Sequence, residues 1–279
     1  MNICIVGLGL IGGTYAYALS GNSKVNKITA IDIDENAIKF GKNKGLIAEG
    51  KANGRELLPE ADLIIICLYP KLIKNFLLEN KEFFKKGAII TDATGIKNKL
   101  IKDLEAYIPE NIDFIFGHPM AGREKIGIEY AEAKIFKGAN YILTPRKENK
   151  KENIELLKEL ILDMGFKSVK CLSSEEHDDI IAFTSQLTHV IAVALVNSDN
   201  QKFDTNSFVG DSYRDLTRIA KINSKLWTEL FLENKDNLIN KIDDFQKVLS
   251  SLKDSLVNED TKSLEASFVE STKRREKID

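Results

Sequence analysis

A single imidazole stands where acid–base chemistry would need one. In Gly117-His118-Pro119-Met120-Ala121-Gly122 it is set in a glycine- and proline-rich segment directly after the apolar run Phe114-Ile115-Phe116. An ordinary histidine pKa near ~6.5 suits proton transfer at neutral pH. Taken alone, such a His-Pro turn is more simply a loop histidine that satisfies backbone groups. A glycine triplet far upstream shifts that balance. Gly7, Gly9 and Gly12 follow the apolar run Ile3-Cys4-Ile5-Val6 and open a helical pattern. A G-x-G-x-x-G placed strand–turn–helix binds a dinucleotide. The first glycine allows the tight turn, the second lets the backbone approach the pyrophosphate, and the third lets helix and strand pack closely. The pyrophosphate then meets the free N–H groups of the helix start, at Leu10 and Ile11. Asp32 ends the next apolar run, Ala30-Ile31. A carboxylate there accepts from ribose hydroxyls and repels a 2′-phosphate, which favours NAD over NADP.

These groups need a sheet to hold them. Strand-like runs at 3–6, 28–31, 63–68, 88–91, 114–116, 141–144 and 168–171 are short and bounded mostly by Gly, Pro, Asp or Asn. Amphipathic helices lie between them, for example at 98–107 and 152–164. The alternation predicts an α/β fold: a Rossmann-type, mostly parallel sheet covered on both faces, with His118 in a loop at its carboxyl edge. After Cys171 the pattern turns helical. Ser173-Ser174-Glu175-Glu176 reads as an N-cap with an acidic first turn. Residues 178–197 read as a buried helix, and 211–222, 224–257 and 261–277 as further helices. The expected division is an NAD-binding domain over 1–172 and an all-α C-terminal domain over 173–279.

The bulk numbers exclude several classes. With 279 residues, 43% hydrophobic and 29% charged, the chain can fill one large core or two ordinary ones. Net charge is -2, and the one basic cluster, Lys273-Arg274-Arg275, reads as a solvated helix end, so no nucleic-acid partner is expected. Cys4, Cys67 and Cys171 lie in strand-like runs without metal-ligand spacing. Buried, reduced thiols and no metal site are the expectation. No leader pattern precedes Ile3, and no apolar run approaches the ~18 residues of a membrane span. A cytoplasmic protein without a membrane partner follows.

In the helix 178–197, Ala182, Ser185, Gln186, His189 and Ala192 share one face at i, i+3, i+4, i+7 spacing. A small, polar face on an apolar helix can wall a pocket, although a satisfied core histidine is the simpler reading of His189 by itself. His177, beside acids in the first turn, reads as a capping or packing residue. Arg214 and Arg218 are i, i+4 neighbours, one of them free to pair with Asp211 or Asp215.

Taken together these segments resemble the prephenate and arogenate dehydrogenases of tyrosine biosynthesis. The resemblance rests on residues 7–13, on Thr91-Asp92-Ala93-Thr94-Gly95-Ile96-Lys97, and on 117–124. It extends through Glu176-His177-Asp178 to Thr184-Ser185-Gln186-Leu187-Thr188-His189, and on to Asp215-Leu216-Thr217-Arg218-Ile219-Ala220 with Trp227. It implies NAD-dependent oxidative decarboxylation. A cyclohexadienol bearing a ring carboxylate gives up hydride from its carbinol carbon, and loss of carbon dioxide makes the ring aromatic. By this resemblance His118 is the catalytic base and Arg218 holds the ring carboxylate, as guanidinium can do bidentately. His189, with Ser185 and Gln186, lies beside the substrate. A homodimer through the helical domain is implied as well. Phe231, Leu238, Phe245 and Leu252, with Ile242, Leu249 and Leu256, form a 4-3 seam that fits a partner helix or intramolecular packing equally. Trp227 is then a core aromatic or part of a neighbouring subunit's site.

Three positions depart from the family's pattern. Gly95 stands where serine is usual, Gln186 where a first histidine of His-x-x-His is common, and Arg123 where a small hydroxyl residue precedes the glutamate. A second donor for the developing alkoxide then falls to the Thr94 hydroxyl, a loop N–H or water. Arg123 becomes a candidate for the substrate's side-chain carboxylate. Two rival readings remain. A β-hydroxyacid-type dehydrogenase would carry a catalytic lysine on a helix of the second domain; a catalytically silent NAD sensor is motivated by Gly95 and Gln186.

Overall fold

The computed structural model describes residues 1–278. β1 (Asn2–Val6) runs through the glycine turn into α1 (Leu10–Leu19). β2 (Lys27–Ile31), α2 (Glu35–Asn43), β3 (Glu49–Lys51), β4 (Leu63–Ile66), α3 (Pro70–Asn80), β5 (Ile89–Asp92), α4 (Asn98–Leu104) and β6 (Asp113–Phe114) follow. The six strands make one parallel sheet in the order β3-β2-β1-β4-β5-β6. Alternation of side chains splits the core in two. Ile3, Ile5, Leu63 and Ile65 face α1, while Cys4, Val6, Ile64 and Ile66 face α3 and α4. Burial on both faces explains why β4 is apolar throughout. β3, with the sequence Glu-Gly-Lys, has no such run and joins the edge by backbone pairing with β2. All carboxyl ends share one edge, and the order reverses at β1, which opens a crevice there.

The run expected as one strand over 114–116 is divided between two sheets. β6 ends at Phe114, the chain crosses at Ile115, and β7 (Phe116–Pro119) pairs antiparallel with β8 (Asn140–Thr144). After α5 (Lys151–Asp163), β9 (Ser168–Cys171) adds in parallel to β8. His118 therefore lies inside a strand, opposite Ile142, and not in a loop. Gly117 permits the close approach: a Cβ there would stand 2.6 Å from the Tyr141 hydroxyl and 2.9 Å from Thr91 Oγ1. Cys4 and Cys171 lie in strands as expected, whereas β4 ends one residue before Cys67, and the three thiols are not all buried. Cys4 is buried, Cys67 is partly exposed, and Cys171 is exposed because β9 is an outer strand with one end uncovered.

The remainder is helical: α6 (Ser174–Ile181), a π-helical turn at Ala182–Gln186, α7 (Leu187–Asn197), α8 (Asp211–Thr217), a 3₁₀ turn at Arg218–Ala220, α9 (Ser224–Glu233), α10 (Lys235–Val257) and α11 (Thr261–Arg275). The capping box expected at Ser173 is present. Its hydroxyl accepts from the Glu176 N–H, and the Glu176 carboxylate accepts from the Ser173 N–H. The single helix expected over 224–257 breaks at Asn234, whose side-chain amide donates to the Asp178 carbonyl and to Gln186 Oε1. The helix 178–197 is not buried as expected: in α7 only Leu187 and Ala192 are. The continuous helix Ser174–Asn197 is also long and apolar enough, by length and composition, to cross a membrane, with 28% of its apolar window buried. Thr184, Ser185, Gln186, Thr188 and His189 break up its apolar residues, which is why the sequence shows no such run.

Candidate active site

Three side chains from two distant segments form a line. His118 Nδ1 lies 2.9 Å from His177 Nε2, and His177 Nδ1 lies 2.7 Å from Asp178 Oδ1. The protons in this chain can be assigned from the acceptor at its end. Asp178 Oδ1 also takes the Lys97 N–H and Oδ2 the Asn98 N–H, each at 2.8 Å. The carboxylate only accepts, so His177 donates from Nδ1 and its Nε2 is bare. His118 must then donate from Nδ1, which leaves its Nε2 unprotonated. That edge of the ring faces Gly95, where a Cβ would stand 3.7 Å from Nε2 and 3.6 Å from Leu230. Burial, with smaller effects of His177 and the Lys97 ammonium, holds the His118 imidazole well below the usual histidine range. Burial likewise lowers His177, against the opposing pull of Asp178. The arrangement is a neutral base with an oriented lone pair, backed by a carboxylate through a second imidazole.

His177 is thus not the cap or packing residue its sequence position implies. It is fully buried and joins β7 to α6. Sequence reasoning missed it because its partner is 59 residues away; the Glu176-His177-Asp178 motif was the only signal. Thr94, expected as a catalytic donor, is committed elsewhere. Its hydroxyl bonds to the Asp92 carboxylate and accepts from Lys97 Nζ at 2.9 Å. Gln186, expected against the substrate, is 1% exposed and donates to the Leu230 carbonyl while accepting from Asn234. The π-turn shifts the register of that helical face. Gln186 points into the joint between α9 and α10, and it ties the helices together.

Ser185 and His189 remain partly exposed on the same helix. His189 Nδ1 donates to the Ser185 carbonyl at 2.8 Å, so its Nε2 is the open acceptor. Burial lowers the His189 pKa, against the Ser185 carbonyl. Its ring stacks on Trp227 of the same chain, with centroids 3.6 Å apart. Arg218 and Arg123 line one cavity of about 550 Å³ with Glu124 and Lys221. Arg218 pairs with Glu124 at 2.5 Å and Arg123 with Glu132 at 2.7 Å. With 64% of the Arg218 side chain exposed, its pair contributes on the order of 1 kcal/mol or less, so a ligand carboxylate can displace Glu124 at small cost. Arg214 is exposed and pairs with Asp211 at 3.4 Å.

The cofactor residues fit a dinucleotide on geometric grounds. Gly7 has φ +91°, and a Cβ on Gly12 would stand 1.9 Å from the Gly7 carbonyl oxygen. Gly9 meets nothing within 4 Å, so its outer side is open to a ligand. No side chain caps α1 and its first turn holds no acid, which leaves the N–H groups at Leu10 and Ile11 for an anion. Asp32, at the tip of β2, accepts from the Leu8 N–H and so stands against this same turn.

Two family models cover most of the chain: "Prephenate dehydrogenase, nucleotide-binding domain" matches residues 15–170 and "Prephenate dehydrogenase, dimerization domain" residues 173–270. A prephenate dehydrogenase of Bacillus subtilis is 30% identical over 94% of this chain and 72% of its own. A cyclohexadienyl dehydrogenase of Zymomonas mobilis is 29% identical over 98% and 94%. The crystal structure of Aquifex aeolicus prephenate dehydrogenase with hydroxyphenyl propionate and NAD+ superposes with a TM-score of 0.90 at 32% identity, covering 100% of this chain and 98% of that one.

The glycine geometry separates two substitutions. Gly12→Ala should lower the melting temperature, since overpacking against backbone typically costs about 1–3 kcal/mol. Gly9→Ala should leave melting unchanged and weaken NAD binding. Calorimetry of both variants checks this, and equal melting losses would contradict it. The histidines predict a pH dependence of stability. All three have folded pKa values below the ordinary one. As pH falls past about 6.5 the unfolded chain takes up protons first, at up to ~1.4 kcal/mol per pH unit for each histidine still neutral when folded. Stability is therefore complete above that pH and lost below it. Melting temperatures that stay level between pH 7 and 5 would contradict the assignment.

Proposed function

The chain belongs to the prephenate dehydrogenase family, and from that premise we propose the following reading of its reaction and site. The protein catalyses NAD-dependent oxidative decarboxylation of prephenate or arogenate. NAD, held at Gly7, Gly9, Leu10, Ile11, Gly12 and Asp32, supplies the hydride acceptor. His118 Nε2 takes the proton of the substrate's ring hydroxyl as the carbinol carbon becomes a carbonyl. The positive charge that appears on His118 is stabilised by its Nδ1–H bond to His177, which Asp178 holds in place, and this needs no rearrangement of those groups. Arg218 leaves Glu124 to hold the ring carboxylate. Arg123, across the same cavity, meets the side-chain carboxylate, and His189 with Ser185 orients the ring. Thr94 serves to fix the loop, so the second donor beside Gly95 is a loop N–H or a water. The observation that carries this reading is the His118–His177–Asp178 line, which assigns the His118 proton to Nδ1 and leaves Nε2 as the acceptor on the side of Gly95.

The division at residue 172 belongs to the same reading, with the cofactor on 1–172 and the substrate helices and subunit contact on 173–279. A homodimer is supported by the family's dimerization domain and by bare apolar side chains. Phe245, Leu249 and Leu256 of the seam are exposed on α10, and Phe203, Phe208 and Leu216 on the segments before it. Phe231 belongs to α9 and packs edge-on against Trp227, so the seam proper begins after Asn234. A partner covering these faces also accounts for the apolar, mostly exposed helix Ser174–Asn197. A cytoplasmic location without membrane or nucleic-acid partners fits the net charge of -2.

NADH formation with prephenate, with arogenate and with short hydroxy acids tests the activity. His118→Asn should lower kcat by about 10²–10⁴ and keep NAD affinity, and Arg218→Ala should raise the substrate KM about 10–150-fold. A His118→Asn enzyme that keeps a tenth of its turnover sinks the base assignment. Tight NAD binding with neither acid turned over makes the chain a sensor. Light scattering at micromolar concentration should give twice the chain mass, since an interface of standard size holds there; a monomer would reject the dimer.

A further inference from the structure

Lys97 takes no part in the chemistry above, yet its side chain is wholly enclosed, as is that of Asp92 beside it. The ammonium lies 2.8 Å from Asp92 Oδ2, 2.8 Å from the Thr94 carbonyl and 2.9 Å from Thr94 Oγ1, which uses all three of its donors. Burying such a pair is a poor route to stability. Desolvation of both ions offsets their attraction, and apolar side chains of similar volume often do as well or better. What the pair touches is more telling. The other Asp92 oxygen, Oδ1, accepts the Gly117 N–H at 3.1 Å, one residue before His118. At the opposite end, the backbone N–H groups of Lys97 and Asn98 grip the Asp178 carboxylate. One buried ion pair thus fixes both ends of the His118–His177–Asp178 line. It reaches β7 through a carboxylate oxygen and α6 through the backbone that the lysine pins down.

Resting on the reading of His118 as the base, we propose that Lys97 is a positioning residue of the reaction. Paired with Asp92, it sets the separation of His118 from Asp178 and presents a fixed positive charge to the line between them. The charged and titratable groups around His118 are His177 and Asp178 from α6, and Lys97 and Asp92 from the end of β5 and the loop after it. Gly95, beside the ring, and Ile142, opposite His118 on β8, carry no charge. The Lys97 charge works against a second positive charge on His118 and on His177, while Asp178 and Asp92 work the other way at His177. Lys97 thereby favours a resting base that is neutral, at a distance His177 can span.

The double variant Lys97→Met/Asp92→Asn tests this, because Lys97→Met alone strands a buried carboxylate. The chain has only 3 histidines, so each imidazole can be followed by proton NMR as pH is varied, with or without turnover. The expected result is a folded protein with the KM for NAD retained and kcat lowered about tenfold or more by misplacement. The His118 imidazole should titrate at higher pH than in the unaltered chain. An unmoved His118 titration overturns the proposal, whatever happens to kcat, since a merely structural pair would not shift it. Should the double variant not fold, Lys97→Arg, which keeps a cation beside Asp92 but cannot repeat the three contacts of the ammonium, carries the kinetic half. A fall in kcat with the KM for NAD retained upholds the proposal; an unchanged kcat overturns it. Absence of turnover in the unaltered chain would refute the reaction, while the titration would still report on the lysine.

Discussion

Asp178 has no proton to give, and the groups bonded to its side chain are all donors: two backbone N–H groups from the start of α4 and the imidazole of His177. This one acceptor dictates the direction of every hydrogen bond that leads to His118. It also explains the position of α6. The capping box at Ser173 starts the helix so that His177 and Asp178 fall at its first buried turn. There they meet β7 on one side and the loop after β5 on the other. The Asp178 carbonyl is taken by Asn234, so the joint of α9 and α10 is referred to the same residue. The helical half of the chain is docked on the sheet through the groups that orient the base.

The His118 cluster and the Arg218 cavity are built to different tolerances. Along the His118–His177–Asp178 line and in the Lys97–Asp92 pair the polar groups are bonded to one another, and moving one leaves its partner unpaired in a medium of low dielectric, where that is costly. Around Arg218 the ion pairs are exposed and weak. A fixed acceptor suits proton transfer, while loosely held guanidinium groups suit a ligand that must bind and leave. The difference follows from burial alone.

What the sequence makes legible is local. The glycine triplet encodes its turn within six residues, because the Gly12 Cβ would collide with the carbonyl of Gly7. The capping box spans four residues, and both appear as read. Features that depend on distant partners were not legible. His118 reads as a loop residue because its strand exists only through pairing with β8, more than twenty residues on. Gln186 reads as a pocket residue because helical spacing takes no account of a π-turn, nor of Asn234 waiting 48 residues later. His177 looks like a cap for the same reason. The apolar faces of α7 and α10 look like core, and within one chain they are surface. Their sequence pattern encodes burial without saying which molecule supplies the cover.

The orientation of the His118 lone pair is the claim on which the reaction rests, and nitrogen NMR of the imidazole rings reads it directly. At neutral pH the ¹⁵N shifts of His118 should show a proton on Nδ1 and none on Nε2, with His177 protonated on Nδ1 as well. A His118 ring protonated on Nε2, or on both nitrogens, would contradict the assignment, since no lone pair would then face the substrate.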